Sequence, residues 1–237
     1  MNIEVLPDSG LVAERAASII ADLAWEAIAS RGFFTMAVSG GHTPWIMFRW
    51  LAAARIPWRA VHVFQVDERV APAGHADRNL THLRESLLSD SPLPPDQFYA
   101  MPVEWPDLDA AAGSYAATLR TVVGEVPVID LAHLGLGPDG HTASLVPGDP
   151  VLNVENADVA FSGPYQGRRR MTLTYPILNR ARRKLWVVTG DDKAGMVTRL
   201  LDADPGIPAG RVRSDGALLL ADCAAAPGHR ITGTVCV

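Results

Sequence analysis

Residues 129–144 read Ile129-Asp130-Leu131-Ala132-His133-Leu134-Gly135-Leu136-Gly137-Pro138-Asp139-Gly140-His141-Thr142-Ala143-Ser144. Ile129 to Leu134 is a short apolar run, and a glycine-rich turn carrying one carboxylate and one imidazole follows it at once. In open α/β sheets ligands bind beyond the carboxyl ends of the strands, so a strand that stops at such a turn points to a site. The rest of the chain repeats the pattern. Short β-branched or aromatic runs alternate with longer amphipathic stretches, which predicts an α/β fold with a mostly parallel sheet covered by helices. The predicted strands are Phe33 to Val38, Val61 to Val66, Ile129 to Leu134, Met171 to Thr174, Leu185 to Thr189 and Ile231 to Val235. Helices are predicted over Ser9 to Ser30, Thr43 to Ala54, Asn79 to Leu88, Asp107 to Val123, Pro176 to Arg182, Asp191 to Asp202 and Asp215 to Ala225. Thr43 before Pro44 and Tyr175 before Pro176 read as helix starts, because proline preorganises the first turn. Pro92, Pro94 and Pro95 punctuate a loop, but no long Ser/Gly/Pro linker separates two halves, so residues 1–237 are expected to form a single domain.

Composition narrows the function. The 237 residues are 48% hydrophobic and 20% charged, an ordinary globular balance, and 26 acidic against 21 basic side chains leave a net charge of -5. That sum lacks the positive field that holds a phosphate polymer, so nucleic acid is not an expected partner. The longest uncharged run, Gly32 to Phe48, is broken by Gly40, Gly41 and Pro44 and falls short of the roughly 20 residues that span a bilayer, so no membrane segment is expected. The N-terminus carries Glu4 and Asp8 and has no basic region followed by an apolar one, so it does not read as a signal peptide and a cytoplasmic location is expected. Cys223 and Cys236 lack the spacing of a zinc site or a disulfide framework and are expected to be buried small apolar residues. His42, His62, His75, His82, His133 and His229 form no HxH or HExxH constellation, so no metal is expected.

Four strand ends gather the chemistry. Ser39-Gly40-Gly41-His42-Thr43-Pro44 follows the predicted strand ending at Val38 and opens a helix, so free amides and the helix dipole could cradle an anion or an oxyanion. The same stretch approaches the serine elbow of α/β-hydrolases, but there the helix begins directly after the serine, which disfavours Ser39 as a nucleophile. Asp67-Glu68-Arg69 crowds charges after Val61 to Val66, and Asn79 reads as the cap of the next helix. His141, set among glycines two residues after Asp139, is the leading general base. Arg170, beside a predicted strand, and Lys193, at a helix start where the dipole disfavours a cation unless an anion is near, could recognise phosphate.

At these motifs the sequence resembles the 6-phosphogluconolactonase family over nearly its whole length. The resemblance rests on SGGHTP (Ser39 to Pro44), DERV (Asp67 to Val70) with Asn79, GLGPDGHTASLVPG (Gly135 to Gly148), RMTLT (Arg170 to Thr174) and TGDDKA (Thr189 to Ala194). It implies a single-domain, Rossmann-like α/β fold similar to glucosamine-6-phosphate deaminases and ribose-5-phosphate isomerases. It further implies hydrolysis of 6-phospho-D-glucono-1,5-lactone, in the oxidative pentose phosphate pathway, by a monomer without cofactor or metal. By the same likeness His141 activates water, Asp139 supports it and Asp67 joins them in the catalytic group. Ser39, Gly40, Gly41, Arg69, Arg170 and Lys193 would then contact the substrate, with the division between phosphate and sugar left open. Arg78 stands where the family has a serine before Asn79, and Gln166 to Arg169 replaces a proline-rich approach to Arg170.

Two rival functions are weighed. An aldose–ketose isomerase or deaminase needs further acid/base groups, and the deaminases resembled have glutamate at the position of Val146 and tyrosine at that of Arg69. Valine transfers no proton. A non-catalytic sugar-phosphate sensor would not need His141 and would need a segment for acting on DNA, which the chain lacks.

Overall fold

The computed structural model describes residues 1–231 and 234–235. Seven strands form one parallel sheet: β1 (Asn2–Leu6), β2 (Phe34–Val38), β3 (Val61–Gln65), β5 (Phe98–Tyr99), β6 (Leu131–Leu134), β9 (Arg183–Val188) and β10 (Ala217–Asp222), in the order β1-β10-β9-β6-β2-β3-β5. Three further strands, β4 (Asp67–Arg69), β7 (Val159–Tyr165) and β8 (Arg168–Leu173), form an antiparallel sheet in the order β4-β8-β7. Among the described residues six α-helices accompany them: α1 (Ser9–Arg31), α2 (His42–Ala52), α3 (Asn79–Leu83), α4 (Leu108–Val123), α5 (Tyr175–Arg180) and α6 (Ala194–Leu201).

The central strands are apolar on both sides because both faces are covered. Met36 and Val38 of β2 and Leu185 and Val187 of β9 join one apolar layer with Ile20 of α1 and Phe48 of α2. Their alternating neighbours Ala37, Trp186 and Val188 join the opposite layer with Tyr115 of α4, Ile177 of α5 and Leu200 of α6. Helix α1 starts where Asp8 accepts the Leu11 amide at 2.9 Å and stops where Gly32, at φ 85°, returns its own amide to Ile28 O.

The predicted helix over Asp215 to Ala225 is instead built around strand β10. Its core, Ala-Leu-Leu-Leu-Ala-Asp, lacks β-branched residues, so propensity favours a helix, but it is inserted between β1 and β9 and paired with both. The run Met171 to Thr174 is a strand, but it belongs to the antiparallel sheet rather than the parallel one. In place of one strand from Ile231 to Val235, Arg230–Ile231 pairs antiparallel with Thr234–Val235, while Thr232 and Gly233 lie outside the described residues. The predicted helix from Asp191 begins as one 3-10 turn, Asp191–Lys193, and that from Asn79 passes into a π turn over Arg84–Leu88. Cys223 is half-buried and disulfide-bonded, which corrects the expectation of a buried small apolar residue; Cys236 lies outside the described residues.

Strands β2 and β6 are tied beyond their ladder by His133, which is fully buried. The Ser39 amide donates to His133 Nδ1 at 3.2 Å, and Ser39 Oγ donates to the His133 carbonyl at 3.0 Å. Burial pushes this imidazole down to about 3, so it is held neutral. An unfolded histidine takes its proton near pH 6.5. Between these values the unfolded chain therefore binds the extra proton, and the stability present above pH 6.5 is lost as pH falls. The contribution is up to about 1.4 kcal/mol per pH unit. Urea titrations at pH 7, 6 and 5 should show this slope in the wild type and a shallower one in His133→Asn; identical slopes would remove His133 from the acid sensitivity.

Candidate active site

Strand β2 leads through α2 to β3 on one side, whereas β6 leads to β9 on the other, so the chain reverses its direction of travel across the sheet between β2 and β6. The loops leaving these two strands part there and open a crevice, the usual ligand position in such sheets. A cavity of about 280 Å³ occupies it. Ser39, Gly40 and Gly41 line it from the loop after β2, and Asp67 and Arg69 from β4. Gly135, Gly137 and His141 come from the loop after β6, Arg170 from β8 and Lys193 from the turn after β9. Of the residues singled out from the sequence only Asp139 is not in the wall; it sits behind His141. A larger cavity, about 510 Å³, opens at the start of the strands beside Met1, Lys184 and Leu218. It lies away from the glycine loops, and its only cationic side chains are Arg183 and Lys184.

Asp139 Oδ1 lies 2.6 Å from His141 Nδ1 and also accepts the His141 amide at 3.1 Å. The remaining oxygen, Oδ2, accepts the Tyr165 hydroxyl at 3.0 Å. With Nδ1–H donating to the carboxylate, His141 keeps the Nε2 lone pair for a ligand. Partial burial alone would raise the Asp139 carboxyl. The ring and backbone hydrogen bonds of His141, the imidazole charge and the Tyr165 hydroxyl outweigh it and hold the group below the usual carboxylate value. Gly137 is obligatory here, because a Cβ on it would overlap the His141 ring.

Asp67, Glu68 and Arg69 divide by strand alternation. Asp67 and Arg69 face the cavity, while Glu68 is fully buried on the other side. The Glu68 carboxylate accepts the amides of Arg69 (2.7 Å), Asn79 (2.8 Å) and Leu80 (2.8 Å) and Gln65 Nε2 (3.0 Å), and it pairs with buried Arg78 at 3.2 Å. It therefore satisfies the first amides of α3, and the expected capping by Asn79 is corrected: that side chain donates to the Asp67 carbonyl at 3.0 Å instead. Gly40 must lack a side chain because a Cβ there would overlap Asn79 Oδ1. Asp67 accepts Ser144 Oγ at 2.7 Å through Oδ2.

The cations converge from different elements. Arg69 and Arg170 are directly opposite each other on β4 and β8, an arrangement that like charges disfavour. Burial first, and then the Arg69 charge, lower the Arg170 guanidinium from its ordinary value. Among the described residues both Nε atoms are buried without a hydrogen-bond partner, while Arg69 Nη1 donates to the Asp77 carbonyl at 2.8 Å and Arg170 Nη2 to Gln166 Oε1 at 3.1 Å. Lys193 Nζ is paired with Asp192, the anion that the helix-start argument called for. Ser39 Oγ is committed to the His133 carbonyl, and among the described residues no imidazole nitrogen is hydrogen-bonded to it, which leaves it without the base a nucleophile needs.

Sequence reasoning missed Trp45, Ser144 and Tyr165. Trp45 lines the cavity, stacked on His82 at 4.0 Å, and reads in the sequence as an ordinary amphipathic-helix aromatic. Tyr165 lies in a strand that contains Gly163 and Pro164, which hid the strand and the side chain together.

A family model described as glucosamine-6-phosphate isomerases/6-phosphogluconolactonase matches residues 7–220. A 6-phosphogluconolactonase of Synechocystis is 35% identical over 224 residues, which cover 92% of this chain and 93% of the relative. The crystal structure of 6-phosphogluconolactonase from Thermotoga maritima aligns with a TM-score of 0.84 at 26% identity, over 93% of this chain and 98% of that one. A monomeric glucosamine-6-phosphate deaminase aligns with a TM-score of 0.82 at 18% identity, over 95% and 98%, a likeness of fold alone.

The opposed arginines make a test independent of any reaction. Inorganic phosphate should raise the melting temperature of the wild type by mass action. Each charge-assisted contact is worth ~1.5 to 3 kcal/mol, so Arg170→Gln should weaken the apparent phosphate affinity roughly 10- to 150-fold. Undiminished stabilisation of the variant, read by differential scanning fluorimetry, would place the anion elsewhere.

Proposed function

The chain belongs to the glucosamine-6-phosphate isomerase/6-phosphogluconolactonase family, and from that premise we propose that it hydrolyses 6-phospho-D-glucono-1,5-lactone to 6-phospho-D-gluconate. The observation that carries this reading is the pairing, in one cavity, of an oriented imidazole with two opposed arginines. The former suits a water to be activated, and the latter a phosphate to be held. In the proposed mechanism His141 Nε2 takes a proton from water as the water oxygen attacks the lactone carbonyl carbon. Asp139 accepts the Nδ1–H hydrogen bond and stabilises the imidazolium that forms. The tetrahedral intermediate then expels the ring oxygen, which takes the proton back from Nε2, so the imidazole ends as it began.

Arg69 and Arg170 are assigned to the phosphate and Lys193 to its edge. The Gly40 and Gly41 amides are assigned to substrate oxygens, including the carbonyl oxygen as it gains charge, and Ser39, whose amide and hydroxyl are spent on His133, to a sugar hydroxyl through its carbonyl. Asp67 is assigned to the sugar hydroxyls beside the catalytic pair, held by Ser144 and Asn79. No step calls on a metal or an organic cofactor. A monomeric state and a cytoplasmic site of action are part of the same proposal. Among the described residues no helix is long and apolar enough to cross a membrane. The deaminase reading gains no support, since Val146 is buried, lies outside the cavity wall and has no proton to transfer.

A coupled assay on freshly generated lactone, corrected for spontaneous hydrolysis, tests the reading. His141→Ala should fold normally and lose roughly 100-fold or more in kcat, the scale of a positioned general base. Asp139→Asn should fall in the same direction by disturbing the tautomer. Wild-type turnover in both would return the pair to a structural role. A serine-directed phosphonate should leave no adduct on the intact protein by mass spectrometry; a stoichiometric label on Ser39, lost with activity in Ser39→Ala, would replace direct water attack by an acyl-enzyme.

A further inference from the structure

Strands β7 and β8 join through Gln166 and Gly167 at φ 52° and 78°, both left-handed, the signature of a two-residue hairpin turn whose twist matches its strands. Gln166 and, just before the turn, Tyr165 pack against two side chains of the cavity wall, Arg170 and His141. Gln166 Oε1 accepts Arg170 Nη2 at 3.1 Å, and the Arg170 guanidinium stands 4.8 Å from the centre of the Tyr165 ring. The same Tyr165 ring meets His141 edge-on at 5.2 Å, and its hydroxyl donates to Asp139 Oδ2. One aromatic side chain thus touches the anion-binding arginine, the imidazole and the carboxylate that orients the imidazole.

We infer that Tyr165 is a positioning residue for the proposed hydrolysis, one that couples occupancy of Arg170 by the substrate phosphate to the geometry of the Asp139–His141 pair. The inference rests on the hydrolase reading above. A carboxylate anchored through one oxygen can turn about its Cβ–Cγ bond; the phenol at Oδ2 fixes its plane and keeps Oδ1 on His141 Nδ1. Burial, and then the hydrogen bond to Asp139, raise the Tyr165 hydroxyl above its ordinary value, so it stays a donor while the enzyme works. The ring in turn depends on Arg170, held by cation–π attraction and pushed by the charge of Arg69 across the ladder. A phosphate dianion between the two arginines cancels that push and settles the guanidinium on the ring. The phosphate therefore contributes to turnover as well as to binding.

The experiment compares the wild type, Tyr165→Phe and Tyr165→Leu on the phosphorylated and the unphosphorylated lactone. Tyr165→Phe keeps the ring and loses only the hydroxyl. On the phosphorylated lactone its kcat should fall about 10-fold with little change in KM. The acid limb of its kcat/KM profile should move to higher pH, because a carboxylate freed of the phenol holds the imidazolium more firmly. On the unphosphorylated lactone the loss should be smaller. Tyr165→Leu should in addition raise KM for the phosphorylated lactone alone. Wild-type kcat and pH profile in Tyr165→Phe, or equal losses on both lactones, would overturn the coupling. If the wild type proves inert toward lactones, the hydrolase reading fails instead, and the His141 Nδ1 proton resonance still decides the coupling. Inorganic phosphate should shift that resonance in the wild type and leave it in place in Tyr165→Leu; a shift in both, or in neither, would overturn it.

Discussion

The arrangement hangs on the buried carboxylate of Glu68. A charge removed from water is costly unless its lone pairs are filled, and here three backbone amides, one side-chain amide and the Arg78 guanidinium fill them. Those partners belong to β3, β4 and the start of α3, so one carboxylate fastens together three segments that would otherwise meet only at their edges. Because side chains alternate along a strand, burying Glu68 turns Asp67 and Arg69 toward the cavity. Arg78 is the positive charge that this burial requires, and it also pairs with Glu104 at 2.7 Å.

The second constraint is the passage from one sheet to the other. Val66 receives and gives across both: its amide donates to Val38 O of the parallel sheet at 2.9 Å, and its carbonyl accepts Leu173 N of the antiparallel one at 2.8 Å. Directly beyond it Asp67 pairs with Thr172 and Arg69 with Arg170. The imidazole and its carboxylate stand on a loop of the parallel sheet, the arginines on the antiparallel one, and the cavity is the seam between them.

Strands β2, β3, β6 and β9 and most helices were legible because their apolar runs and amphipathic faces are set by burial, which composition records directly, whereas β1 and the two-residue β5, at the sheet's edges, were not predicted. So were the glycine loops after Val38 and Leu134, since close approach of a backbone leaves glycine in the sequence. Strand β10 was not, because Ala217 to Asp222 lacks the β-branched residues of its neighbours and owes its extended form to the strands on either side. Strand β7 was hidden by Gly163 and Pro164, and with it Tyr165. Asn79 illustrates a different limit: its residue type suits a cap, but the carboxylate that takes the helix amides comes from eleven residues earlier, a tertiary contact that no local spacing announces.

The arginines proposed for the phosphate sit on the antiparallel sheet and the imidazole proposed as the base on a loop of the parallel one, so their separation is set where the two sheets meet. A ligand that fills both ends must carry its phosphate and its carbonyl a fixed span apart, as a six-membered lactone bearing phosphate on its terminal carbon does. A shorter or longer sugar acid would satisfy one end and miss the other. Held at Val66 and across the β4–β8 ladder, the two sheets would act on the proposed substrate as the jaws of a caliper, giving selectivity for chain length from the architecture itself.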